Sequence, residues 1–205
     1  HRFLIDRRAA VLRPGHRDDL AAADHPVGLR IDQVVADPPP TLAAWHYLSL
    51  RLAGIPGLPA WPAERIHLVG PRVSCGWTLY AQIDAQGSYH DLALTIDQAP
   101  DPEEVAVLRS CWEDPDRDLG ALDLRPYDAD LVYCNGHIHC TPAVVGTVAG
   151  PPIGLHPNPS CPTCGRLMFH ITTVQNTVRE YGDGFRSLYI CEDCLTSACT
   201  GTGWN

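Results

Sequence analysis

No lysine occurs in the 205 residues, so all 15 basic side chains are arginines, set against 24 acidic ones for a net charge of −9. The arginines are scattered with no basic stripe, and the acidic excess repels a phosphate backbone. Broad nucleic-acid binding is therefore not expected. Arginine-only usage beside abundant Ala, Pro and Gly suggests a GC-rich genome, a matter of codons rather than chemistry. Nowhere does the chain approach the roughly 20 consecutive apolar residues of a membrane-spanning helix. Its first residues, His-Arg-Phe-Leu-Ile-Asp-Arg-Arg, flank a very short apolar patch with charge, unlike a secretory signal, so a reducing cytoplasm is the expected setting.

Several catalytic signatures are missing as well. A zinc deaminase needs His-x-Glu followed by Pro-Cys-x-x-Cys, yet none of the 10 histidines has Glu two residues on, and Cys161 follows Ser160. Gly146-x-x-x-Gly150 has no strand expected before it and no Lys-Ser/Thr after it, which excludes a phosphate loop. The acidic stretch 113–118 has the spacing of neither a calcium loop nor a carboxylate pair and reads as a solvated loop. No nucleophile, base and acid come together anywhere else in the sequence.

Present instead is a chain that is 45% hydrophobic and long enough for one large domain or two small ones. Short β-prone runs at 2–6, 9–12, 28–35 and 45–52 alternate with Pro, Gly and Asp. In the last of these, Leu48, Leu50 and Leu52 recur at period two, which predicts a half-buried strand. Residues 77–84 and 89–96 predict a hairpin around a turn at Ala85-Gln-Gly-Ser88. One helix is expected at 101–112, with Asp101 to cap it, Pro102 in its first turn and two glutamates against its dipole. Residues 141–160, rich in Pro and Gly, read as irregular. The expected organisation is thus a β-rich N-terminal domain over 1–145, a connector over 146–160 and a C-terminal module over 161–205.

That module carries the strongest signal. Cys161-Pro-Thr-Cys164-Gly165 and Cys191-Glu-Asp-Cys194 are two Cys-x-x-Cys knuckles, among nine cysteines in all. Each knuckle sets two sulfurs on one side of a tight turn, and two knuckles joined by a hairpin supply the four tetrahedral ligands of a zinc ribbon. The β-prone stretches 166–174 and 185–190 can make that hairpin. Four thiolates fill the coordination shell, so the zinc should be structural, with no position left for an activated water.

A second cluster lies in Leu131-Val-Tyr-Cys-Asn-Gly-His-Ile-His-Cys140. Asn-Gly between apolar residues predicts a two-residue hairpin turn, which pairs Cys134 with His137, Tyr133 with Ile138 and Val132 with His139. Alternation then puts Cys134, His137 and His139 on one face and turns Cys140 to the other. Three such ligands suit either a second metal site or a solvated, partner-facing strand. Cys199 and Cys111 have no spaced partner and read as inert thiols.

Two internal stretches echo each other. Cys164-Gly-Arg-Leu-Met-Phe-His-Ile can be laid over Cys75-Gly-Trp-Thr-Leu-Tyr-Ala-Gln, and Phe185-Arg-Ser-Leu-Tyr-Ile over Tyr89-His-Asp-Leu-Ala-Leu. Gly54-Ile-Pro-Gly-Leu-Pro-Ala-Trp-Pro62, followed by Cys75-Gly-Trp-Thr-Leu-Tyr-Ala-Gln-Ile-Asp84, resembles a pattern of the YwqG-like bacterial proteins of unknown function. The unit from Cys161 to Cys194 is similar to one shared by that group and the programmed-cell-death-protein-2-like proteins. The resemblance implies a duplicated β-rich fold and, on the second side, binding of a protein client; it implies no enzymatic activity.

The chain is accordingly expected to be mainly β (a β-rich α+β fold), with duplicated hairpin units, one short helix and a C-terminal zinc ribbon at Cys161, Cys164, Cys191 and Cys194. It is expected to work by recognising a protein partner. The alternatives are a metal-dependent hydrolase or lyase at Cys134, His137 and His139, and a nucleic-acid-binding ribbon.

Overall fold

The computed structural model describes residues 10–14, 25–26, 28–38, 44–52, 58, 61–71, 78–95, 122–126, 132–134, 137–139, 146–148, 158–175 and 184–203. The expected helix at 101–112, the strand at 2–6, the acidic stretch 113–118, and Cys75, Cys111 and Cys140 lie outside them.

The fold is mainly β. Among the described residues, twelve strands run in the order β1 (Ala10–Pro14), β2 (Ala44–Arg51), β3 (Arg65–Pro71), β4 (Thr78–Ile83), β5 (Tyr89–Thr95), β6 (Leu122–Pro126), β7 (Val132–Cys134), β8 (His137–His139), β9 (Gly146–Val148), β10 (Phe169–Gln175), β11 (Gly184–Cys191) and β12 (Thr196–Gly203). Eight form one antiparallel sheet in the order β5-β4-β12-β11-β10-β9-β1-β6, while β2 pairs with β3 and β7 with β8.

Side chains of β11 alternate between two faces of the large sheet. Leu188 and Ile190 join the main core with Leu48, Leu50, Ile66 and Leu68 of the β2–β3 hairpin, so that hairpin forms a second layer on this face. Tyr189 and Cys191 face the other way and pack with Cys161, Met168 and Ala198. The two Cys-x-x-Cys knuckles are therefore set on the side of the sheet away from β2–β3.

Three expectations change in the structure. Residues 28–35 do not form a strand. Gly28 takes a left-handed φ of 68°, the Gln33 side chain accepts the Arg30 N–H at 2.9 Å, and Ile31–Gln33 make one 3-10 turn. This delivers Val34 and Val35 to the core. Secondly, β2 is buried on both faces, because Ala44, His46, Tyr47, Leu48, Ser49 and Leu50 are all buried. Its leucines reported the strand, but the layer above the sheet also has material over it. Thirdly, Gly146–Val148, expected in an irregular connector, is a strand that links β1 to β10. Its Val148 is fully buried, which its neighbouring Gly and Thr do not advertise.

The hairpin expected at 77–96 forms from β4 and β5. Burial alternates along β4, and the Asp84 carboxylate accepts the N–H groups of Gln86 and Ser88, both at 2.9 Å. Gly87 supplies the positive φ, 91°, that the turn needs. The β2–β3 and β10–β11 hairpins share a local arrangement. In β2, His46 Nε2 bonds Ser49 Oγ at 2.8 Å and Ser49 Oγ bonds His67 Nδ1 of β3 at 2.7 Å. In β10, His170 Nε2 bonds Thr173 Oγ1 at 2.8 Å and Thr173 Oγ1 bonds Ser187 Oγ of β11 at 2.7 Å. Each strand has a register shift directly after its histidine, between His46 and Leu48 and between His170 and Thr172. The bulge brings the ring within reach of a hydroxyl three residues on.

Candidate metal centre

The first knuckle sits at the tip of a short bridge between Ser160 and Leu167. Cys161 N–H donates to Arg166 O and Gly165 N–H donates to Cys161 O, both at 2.8 Å, closing the turn. Gly165 has φ 73°, and a Cβ there would meet no atom within 4 Å. Only the backbone conformation therefore selects glycine at this position. In the second knuckle the same place, immediately after the second cysteine, is held by Leu195 with φ 48°. The two knuckles match in backbone although only one carries the glycine that signals it.

The knuckles are anchored to the large sheet through β4. Ile83 N–H donates to Leu195 O at 2.8 Å. Gln82 Nε2 donates to Thr196 Oγ1 at 3.1 Å, and that hydroxyl donates to Cys194 O at 3.3 Å. Tyr80 Oη donates to Ser160 O at 3.2 Å. Arg166 and Asp193 also pair across the two knuckles at the surface, a contact worth little in water.

These anchors bring the four sulfurs together. The Sγ atoms of Cys161, Cys164, Cys191 and Cys194 all lie within 4.8 Å of one another. Between the knuckles, Cys164 and Cys191 are 3.6 Å apart at sulfur. A tetrahedron of thiolates about 2.3 Å from a metal has edges of about 3.8 Å, whereas a disulfide would need about 2.05 Å. The spacing fits four ligands around an ion. Cys161 and Cys191, the first of each pair, are buried, while Cys164 is exposed and Cys194 half-buried.

The electrostatics point the same way. Burial pushes the Cys161 thiol up, but the N–H groups of Cys164 and Thr163 and the thiols of Cys191 and Cys164 more than offset it, leaving it at about 6. Cys191 is raised, chiefly by burial. Cys194 is pushed up to about 12 by Cys164 beside it, with burial and its other sulfur neighbours adding to the effect. One thiolate forms readily at Cys161, and its charge opposes ionisation of Cys194. A divalent cation removes that opposition and makes four thiolates compatible.

Of the other thiols, Cys199 of β12 lies in the main core, where burial pushes it up to about 12, as suits an inert side chain. Cys134 of β7 and His137 of β8 are directly paired, Tyr133 pairs with Ile138, and Val132 with His139. The register is the one the Asn-Gly turn predicts.

Sequence reading passed over the His46–Ser49–His67 chain. Leu29 N–H donates to His46 Nδ1 at 3.0 Å, so a neutral His46 carries its proton on Nε2 and donates it to Ser49. The Ser49 hydroxyl then donates to His67 Nδ1. Burial, and then the charge of Arg65, hold His67 down at about 4. Ser49 is fully buried and no nucleophile for an external substrate. The only advance signal was a His-x-x-Ser spacing inside a strand.

Comparison of the chain with protein-family models, curated proteins and solved structures finds no match. No helix among the described residues is long and apolar enough to cross a membrane.

Proposed function

We propose that the protein is a zinc-stapled β protein of the reducing cytoplasm that works by recognising a protein partner beside its four-cysteine centre. Zinc is the ion because four thiolates in a tetrahedron suit it, and a filled shell makes its role structural. Two knuckles drawn from distant positions are held rigid by one ion, which fixes the surface around them.

The observation that carries the recognition reading is on that surface. Leu167 is 74% exposed and Phe169 39% exposed, the large hydrophobics left in solvent among the described residues. They flank buried Met168, Leu167 beside the first knuckle and Phe169 at the start of β10. Apolar side chains concentrated at one rigid place are what a partner buries. The resemblance of the unit from Cys161 to Cys194 to client-binding proteins supports the same reading.

A photo-crosslinking residue at position 167, with one at exposed Asp91 as control, tests it in extracts of the source cells. The expected result is a protein captured from 167 alone, released by Phe169→Asp and by removal of the metal. Equal capture from both positions, or capture indifferent to Phe169→Asp, overturns the recognition reading. Full metal retention in Cys161→Ser or Cys191→Ser overturns the zinc staple.

A further inference from the structure

The four cysteines of the metal centre differ in what can reach them. Cys161 and Cys191 are buried and Cys194 is half-buried, but Cys164 is exposed. Residues 162–167 around it are exposed as well, so a small polar molecule meets its sulfur without displacing any part of the core. Cys199, with 1% of its surface exposed in the main core, is closed to the same molecule.

A second sulfur stands within reach of the exposed one. Cys164 Sγ and Cys191 Sγ, from opposite knuckles, are 3.6 Å apart, and a disulfide between them needs an approach of about 1.5 Å. The first knuckle has room to make that movement, because a Cβ placed on Gly165 would meet no atom within 4 Å. The second sulfur is the fixed one, since Cys191 ends β11 and is paired with Thr196 of β12. A solvent-accessible thiolate poised beside a sheltered second thiol is the arrangement of an oxidation-sensing pair.

We propose that Cys164 is a site of oxidation by hydrogen peroxide and Cys191 its resolving partner, so that oxidation opens the four-cysteine centre and frees its ion. This rests on the zinc-staple reading and adds its regulation. The Cys164 thiolate attacks one peroxide oxygen, the O–O bond breaks, and the hydroxide that leaves takes a proton from solvent. Cys164 is then a sulfenic acid. The Cys191 thiolate attacks its sulfur, the S–S bond forms as the S–O bond breaks, and the second hydroxide is protonated in turn. Two thiolates have lost two electrons and the peroxide has become two waters. With two of its four ligands joined to each other, the centre no longer holds a tetrahedral ion. The bridge still ties the entry of β10 to the end of β11, and a dithiol reverses it by exchange.

Graded hydrogen peroxide on the whole zinc-loaded protein tests this, with freed zinc followed by a chromophoric chelator and bridges located by mass spectrometry. Digestion after arginine separates the knuckles, because Arg166 and Arg186 lie between them; a Cys164–Cys191 bridge then joins two peptides otherwise apart. One equivalent of zinc should leave in step with that bridge while Cys199 is still a free thiol, and dithiothreitol followed by zinc should restore the loaded protein. Zinc loss with bridges confined within each knuckle, a Cys164–Cys191 bridge that forms only as Cys199 becomes reactive, or zinc retained at peroxide levels that oxidise free cysteine overturns the proposal. Protein that holds no zinc before peroxide refutes the zinc staple instead, and the linked peptide then decides the Cys164–Cys191 pair by itself.

Discussion

The stacking of the β2–β3 hairpin on the large sheet rests on one close approach that mutation can probe. A Cβ added at Gly70 of β3 would lie 2.4 Å from Cys199 Sγ of β12 and 3.5 Å from Cys199 Cβ. Both residues are in the described core, Cys199 with 1% of its surface exposed. Alanine has a better backbone propensity than glycine inside a strand, by about 0.5–1 kcal/mol. Any loss from Gly70→Ala must therefore come from the clash, and overpacking of this kind costs about 1–3 kcal/mol. Cys199→Ala removes the sulfur and leaves a small void, costing about 1 kcal/mol. In the double variant the new methyl occupies the space the sulfur vacated, at an ordinary distance from the remaining Cβ. It should be more stable than Gly70→Ala alone, with a coupling of about 1–3 kcal/mol. Urea unfolding of the four proteins, at saturating zinc and with unchanged slope, measures this. Effects that add to within about 0.5 kcal/mol would refute the packing of β3 across β12.

Two further outcomes follow from the site and its neighbours. Gly165→Ala meets no atom, so it should cost only the left-handed backbone term, about 1–2 kcal/mol, in the metal-loaded protein; urea midpoints equal to wild type would show that φ 73° is not enforced there. For His67, whose value of about 4 lies below the ordinary 6.5, the folded state binds the proton more weakly than the unfolded chain. Its contribution, about 3 kcal/mol, is complete above pH 6.5 and lost as the pH falls towards 4. The difference in stability between wild type and His67→Asn should therefore shrink across that window, and a difference independent of pH would refute the linkage; metal loss in acid affects both proteins alike and cancels.

The sequence by itself determined the features whose causes are local. Two Cys-x-x-Cys spacings picked out the four cysteines whose sulfurs converge, because a knuckle needs only its own turn to set two sulfurs on one side. Asn135-Gly136 determined the pairing of Cys134 with His137, since a two-residue loop leaves one register. Alternation along β4 and the Asp84 turn were legible for the same reason. Tertiary structure alone decided the rest. Leu195 takes the conformation that Gly165 takes without any sequence mark, because its carbonyl is held by Ile83 of β4. Gln82 reaches the second knuckle only because β12 lies beside β4. Gly146–Val148 became a strand through neighbours at both of its edges. The Ser49 hydroxyl found two imidazoles because a bulge and a cross-strand pairing converged on it. Contacts between residues far apart in the chain depend on which strands become neighbours, and no window of sequence contains that information.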